Sequence, residues 1–147
     1  MKRFRRIILS IAIALFVLSL SACYHSMITY YQDKQNYSDY SGEIIFINYS
    51  SDGSIYLAFD HITPKTSDIN FVIVGKNVEI VSEYNLNELL VIGKTVQFVT
   101  APRYFGDGYV MPIVGLTVDG TVILDSQTGI ENWNDWLAST TRGRLFY

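Results

Sequence analysis

The stretch Ala101-Pro102-Arg103-Tyr104-Phe105-Gly106-Asp107-Gly108-Tyr109 gathers the side chains best suited to holding a ligand. Arg103 offers a planar fork that grips a carboxylate or phosphate through two parallel hydrogen bonds. Tyr104, Phe105 and Tyr109 offer ring faces for sugars or peptide aromatics. Asp107 either meets a ligand or pairs with Arg103, in which case the rings fold onto the domain. Asp60, His61 and Asp68 have the residue types for acid–base work. No serine or cysteine nucleophile motif surrounds them, however, and Pro64 marks a loop, so turn and capping roles are expected. Asp52, Asp107 and Asp119 each precede a glycine, as turn residues do. His25 has no partner by spacing. Two histidines and one cysteine do not make a metal site, and no phosphate-binding glycine loop is present. The sequence therefore predicts no catalytic residue, metal or cofactor.

The one thiol, Cys23, has a context of its own. Lys2, Arg3, Arg5 and Arg6 precede Ile7–Leu20, a run of 14 residues interrupted only by Ser10 and Ser19. Small residues come next. A basic start, an apolar centre and a small-residue cut site define a secretory signal. The ending Leu20-Ser21-Ala22-Cys23 resembles the lipobox of bacterial lipoproteins, although Tyr24 stands where small polar residues are more usual. The resemblance implies cleavage after Ala22 and a diacylglyceryl group on the Cys23 sulfur. Two acyl chains give a stable anchor where one is marginal. The alternative is a retained single-span anchor. The apolar run covers about 21 Å as a helix, short of a hydrocarbon core of about 30 Å unless it is counted on through Tyr24. Either anchor leaves the residues after Cys23 outside the cytoplasm, because the basic residues stay inside.

Removing residues 1–22 leaves enough chain for one domain and no second cysteine for a disulfide. Of 11 basic residues, four lie in the leader. Seven remain against all 14 acids, a side-chain balance of −7. Such a surface excludes nucleic acid as a partner and disfavours tight adhesion to anionic headgroups.

The elements that must position these groups are mostly strands. Residues 23–41, rich in tyrosine, read as a lipidated N-terminus and tether, with a short helix over Met27–Gln32 as the alternative. Residues 43–49 and 55–60 alternate as strands around an Asp52-Gly53 hairpin turn. Residues 61–68 read as a loop and 70–74 as a third strand. Asn77 is suited to cap a short helix over 78–84, and 86–90 could add a helical turn. Residues 95–100 and 110–118 are strands, the latter carrying Pro112 and Gly115, which imply an edge, bend or bulge. Asp119-Gly120 turns into strand 121–124. Asp125 or Ser126 caps a final helix whose stripe is Ile130, Trp133, Trp136 and Leu137. These tryptophans are expected to cover a core rather than form an exposed strip. Residues 140–147 read as a tail.

Strands, a short helix, then strands, with Gly93-Lys94 leading into Thr95, resembles an OB-fold-like small barrel over residues 42–124. The expected fold is mainly β: a five- to six-stranded barrel with one inserted helix and a C-terminal amphipathic helix, residues 42–139, behind a signal peptide or anchor. A small open meander is the rival. In an OB barrel the 101–109 loop joins strands 4 and 5, a ligand-binding position. The expectation is a membrane-tethered, extracytoplasmic, non-enzymatic module binding a protein, peptide or envelope polymer through Arg103, Tyr104, Phe105, Asp107 and Tyr109. A structural or accessory subunit of an envelope complex is the alternative, and an enzyme the weakest reading.

Overall fold

A computed structural model describes residues 2–68, 70–102 and 110–145. The chain divides into two compact units, Met1–Asp33 and Lys34–Tyr147.

The first unit is one helix, α1 (Lys2–Gln32). Its central side chains are apolar on every side and exposed, Phe16 at 64% and Leu18 at 65%. Its hydroxyls are turned onto the helix backbone: Ser19 donates to the Phe16 carbonyl at 2.7 Å and Ser21 to that of Val17 at 2.9 Å. A helix apolar all round is one that lipid or a core normally covers. Among the described residues, no helix is long and apolar enough to cross a membrane. The helix runs through the first part of the segment read as a tether at 23–41 and takes in the alternative helix over Met27–Gln32. With no glycine or proline between Tyr24 and Gln32 the helix has nothing to stop it, and Thr29 bonds back to the His25 carbonyl at 2.9 Å. A 3₁₀ turn, Lys34–Asn36, comes after it.

The second unit holds the strands β1 (Ser38–Tyr49), β2 (Ile55–Thr63), β3 (Asn70–Ile73), β4 (Thr95–Thr100), β5 (Met111–Val118) and β6 (Thr121–Leu124). Helices α2 (Lys76–Ser82) and α3 (Leu86–Leu89) lie between β3 and β4, and α4 (Ser126–Leu145) ends the chain. β1 pairs with β4 through its first half and with β2 through its second. β2 pairs with β3, and β3 runs parallel to β5 at Phe71–Met111 and Val72–Pro112. β5 returns to β4, closing a five-stranded barrel in the order β1-β2-β3-β5-β4. This is the OB-like barrel expected from the sequence, and the open meander is set aside. The second edge of β5 is shared: its first residues take β3, and Leu116–Val118 take β6.

Closure is filled by rings. Phe59 and Phe98 stack at 4.3 Å, Phe71 meets them edge-on at 5.2 and 5.1 Å, and Tyr40 lies 5.7 Å from Phe98. These four side chains come from β1, β2, β3 and β4. Each such pair adds roughly 0.5–1.5 kcal/mol beyond its buried area. Ile44, Ile55, Leu57, Ile73, Ile113 and Leu116 complete the interior.

The differences from the sequence reading have local causes. β1 begins at Ser38 rather than within residues 43–49, because Ser38–Glu43 finds a full ladder with β4. β2 runs on to Thr63, past His61 at φ 53°, and the Thr63–Pro64 peptide is cis. β5 is flanked by strands on both edges. Pro112 is tolerated because it sits at the strand's start, where its carbonyl accepts from Ala101 N–H at 2.8 Å. The expected bulge falls on β5 itself: Val99 and Thr100 pair with Gly115 and Ile113, leaving Val114 as the extra residue. The inserted helix is two short pieces. The helix expected to stop before a tail at 140 continues to Leu145.

α4 lies against the outside of β5. Ile130, Trp133 and Leu137 are buried under it, and Trp136 stacks on Trp133 at 5.1 Å, so the tryptophans cover a core as expected. The approach depends on Gly129. A Cβ there would overlap the Val114 carbonyl oxygen and lie 2.7 Å from its carbon. Asn77 is not the cap of α2, which begins after Gly75. It is 1% exposed and ties α2 to α4. Its Nδ2 donates to the Gly129 carbonyl at 3.0 Å, and its Oδ1 accepts from Asn132 Nδ2 at 3.0 Å.

Candidate functional site

The loop residues Arg103, Tyr104, Phe105, Asp107 and Tyr109 lie outside the described residues. Both stems of the loop are described. Ala101 is fully buried, Pro102 is buried, and Met111 is 7% exposed. The Ala101–Pro112 hydrogen bond joins the stems where β4 ends and β5 begins. The loop therefore leaves the barrel from a fixed base. Its C-terminal stem runs beside the start of β3, because β3 and β5 are parallel from Phe71 and Met111 onward.

Register builds a surface next to that base. Phe46, Ala58 and Asn70 stand in one row across β1, β2 and β3. Asn48, Tyr56 and Val72 make the next. Both rows point away from the ring-filled interior, since side chains alternate along each strand and Leu57 and Phe71 between them are buried. Phe46 is 53% exposed, Asn48 and Asn70 are exposed, Ala58 and Tyr56 are half-buried, and Val72 is buried, so the surface is open chiefly over β1 and the start of β3. An aromatic and two amides on a barrel's outer wall, beside a loop base, can stack and hydrogen-bond a sugar or an extended peptide.

The β1–β2 turn at the far end of these strands is tightly tied. Ser50 N–H donates to the Ser54 carbonyl at 2.9 Å, and Ser54 N–H to Asp52 Oδ1 at 2.9 Å. The Ser54 N–H, helped by the Ser50 and Ser54 hydroxyls, holds the Asp52 carboxyl below the usual carboxylate range. Asp119 is a turn residue at φ 52° and pairs with Lys94 at 2.8 Å. Both acids are thus turn residues, as their glycine neighbours implied.

Asp60, His61 and Asp68 border a cavity of about 320 Å³ with Lys65 and Thr66. Asp60 Oδ1 accepts the His61 backbone N–H at 2.8 Å, while the imidazole Nε2 stands 3.8 Å from Oδ2 with both side chains largely exposed. Asp68 accepts from the Thr66 hydroxyl at 3.1 Å. Asp68 thus bonds within its own loop, while Asp60 accepts an N–H of its own strand and His61 lies within β2 rather than in the loop expected at 61–68. A second hollow, about 420 Å³, opens over β1, β4 and β5 between Asp39, Gln97, Thr117 and Asp125. Sequence reasoning missed it, because six separate elements, five strands and α4, contribute its walls. Asp125 is occupied as the cap of α4, accepting from Thr128 N–H at 3.0 Å and from the Thr128 hydroxyl at 3.2 Å. Among the described residues, no group of three or more His, Cys, Asp or Glu is placed to hold a metal ion. His25 and Cys23 both lie within α1, and His25 is exposed.

No protein-family model matches this chain, and no curated protein matches it either.

Proposed function

We propose that this chain is an exported module, tied to a membrane through Cys23, that binds a protein, peptide or envelope polymer without transforming it. The observation that carries the binding half is the outer wall of β1–β3, where Phe46, Asn48 and Asn70 are exposed and Tyr56 is half-buried, set beside the fixed base of the 101–110 loop. In OB barrels the neighbouring strand face and the loop between strands 4 and 5 are the ligand-binding positions. Arg103 would supply the charged fork and Tyr104 and Tyr109 the stacking faces. The anchoring half rests on the order of basic residues, apolar run, small residues and single thiol, and on a helix whose apolar side chains are uncovered. An accessory subunit docking through its last helix is less well supported, because α4 commits Ile130, Trp133 and Leu137 to its own barrel.

Cross-linking in intact envelopes followed by pull-down tests the binding half. The triple variant Arg103→Ala, Tyr104→Ala, Tyr109→Ala is expected to recover at least tenfold less partner than wild type, the combined loss of a bidentate contact and two stacking faces. Unchanged recovery overturns it. Intact mass tests the anchor: the expected species begins at Cys23 and carries acyl chains, and a full-length unacylated chain overturns that half.

A further inference from the structure

The first half of β1 builds a second surface, apart from the wall that its second half builds. Register sets Thr63, Ser41, Gln97, Thr117 and Val122 side by side across β2, β1, β4, β5 and β6. The row points outward, because Tyr40, Phe98 and Leu116 beside it pack into the core. Its first four members are a hydroxyl, a hydroxyl, an amide and a hydroxyl. Among the described residues, none of these four side chains has a hydrogen-bond partner. The next row is Asp39, Val99 and Gly115. A Cβ on Gly115 would stand 2.9 Å from Val99 Cγ2 and 3.1 Å from Ser126 Cβ. The missing side chain lets α4 start directly against the sheet, so Asp125 and Ser126 wall in the row. The result is the hollow of about 420 Å³ described above. That volume lies in the range of small-molecule sites, about 300–1,000 Å³.

We propose that this hollow binds a saccharide that carries no acidic group. Hydroxyls and an amide side chain both donate and accept, as sugar hydroxyls do. Neighbouring strands are about 4.8 Å apart, so the row offers one such group at each step. An extended peptide laid along the row repeats its groups on one edge every two residues, about 6.7 Å, and falls out of step. A sugar ring carries hydroxyls on successive carbons and can meet each group in turn. Val99 and Val122 supply apolar surface for the ring's C–H bonds. The ionisable groups among the described lining residues are Asp39 and Asp125, beside Tyr40, and no lysine, arginine or histidine joins them. Two carboxylates with no cation repel a phosphate or a uronic acid. Four hydrogen bonds of ordinary strength support binding in the millimolar range. The site involves neither Cys23 nor the 101–110 loop, so it stands or falls apart from the function proposed above.

Full-length ¹⁵N-labelled protein in a sugar-free zwitterionic detergent provides the test, titrated with maltotetraose and with chitotetraose as neutral probes. The Val99 and Gly115 backbone amides are expected to shift and saturate at millimolar concentrations with at least one probe. Gln97→Ala combined with Thr117→Val is expected to weaken that binding at least tenfold, the loss of two hydrogen bonds. Ser41→Ala removes one hydroxyl, costs roughly two- to tenfold, and serves as the variant if the double one unfolds. Asn87→Ala, exposed on α3, leaves the titration unchanged. Tetragalacturonate, the anionic probe, is expected not to move either amide. No shift at Val99 and Gly115 with either neutral probe overturns the proposal. Affinity that survives loss of the row's polar groups also overturns it, as does equal binding of tetragalacturonate. Shifts confined to Phe46 and Asn48 assign the saccharide to the β1–β3 wall, which removes this site and leaves the proposed function standing.

Discussion

Asn77 shows how one buried amide fixes the relation of two helices. At the start of a short helix, after a glycine and a lysine, it looks like a cap. Its side chain instead spans the α2–α4 junction, donating to the Gly129 carbonyl and accepting from Asn132. The contact exists because Gly129 brings α4 so near β5 that no side chain can stand between them. Replacing Asn77 by Ala strands a buried carbonyl, at a cost of about 1–3 kcal/mol. Asn77→Asp is expected to cost more. It sets an acceptor against the Gly129 carbonyl and buries a charge with no cation to meet it. Urea denaturation of the three proteins checks the order wild type, Ala, Asp; an Asp variant as stable as wild type removes the clasp. The role was illegible beforehand because it depends on two residues more than 50 positions away. The loop acids were different. Asp52 and Asp119 announced their turn roles through the glycine beside each, and Asp125 its capping role through the helical stripe just after it.

Among the elements, α4 depends most on the residue that caps it. Asp125 accepts the Thr128 N–H and hydroxyl, and the N–H above all holds its carboxyl below the ordinary value. A carboxyl lowered on folding stabilises the native state fully above its unfolded pKa, near 4, and loses that contribution as pH falls through the folded value. Asp52 acts in the same direction on the β1–β2 turn. The thermal midpoint should therefore be flat from neutral pH to about 5 and fall below about 4. Asp125→Ala is expected to lower the midpoint at pH 7, with a gap from wild type that closes toward pH 2. A gap independent of pH would mean the carboxylate is not what caps the helix. The strands were the most legible elements. β4, β6 and the two Asp-Gly turns lie where alternation and turn chemistry put them. The misplacements were at ends, where tertiary pairing decides: the first residues of β1 look like tether until β4 is laid beside them. The parallel β3–β5 seam that closes the barrel has no local signature at all.

At the scale of the whole molecule, the chain passes from one compact unit to the other at Asp33–Lys34, and that junction makes the topology of export testable. The fold class could be read from the sequence because each element obeyed its own pattern. The site could not be read to the same depth: the 103–109 loop was chosen for its chemistry, while the wall beside it emerges only from register across three strands. Neither reveals location, which needs a chemical handle on the chain. Lys34 is that handle. It is the only Lys or Arg between Arg6 and Lys65, it is exposed, and it lies in the 3₁₀ turn between the two units. Its ammonium donates to the side-chain carbonyl of Gln127, itself an exposed residue, so the contact does not bury it. Exposed connecting turns are where proteases nick folded proteins first. If the barrel is outside the cytoplasm and held by the segment that precedes Lys34, trypsin added to intact spheroplasts should cut after Lys34. A fragment beginning at Gln35 should then pass from the membrane pellet to the supernatant, while a cytoplasmic control protein stays whole. Lys34→Gln should slow that release without moving the protein. A barrel that stays whole until the cells are lysed places it inside, and with that the anchor and the envelope ligand fall together.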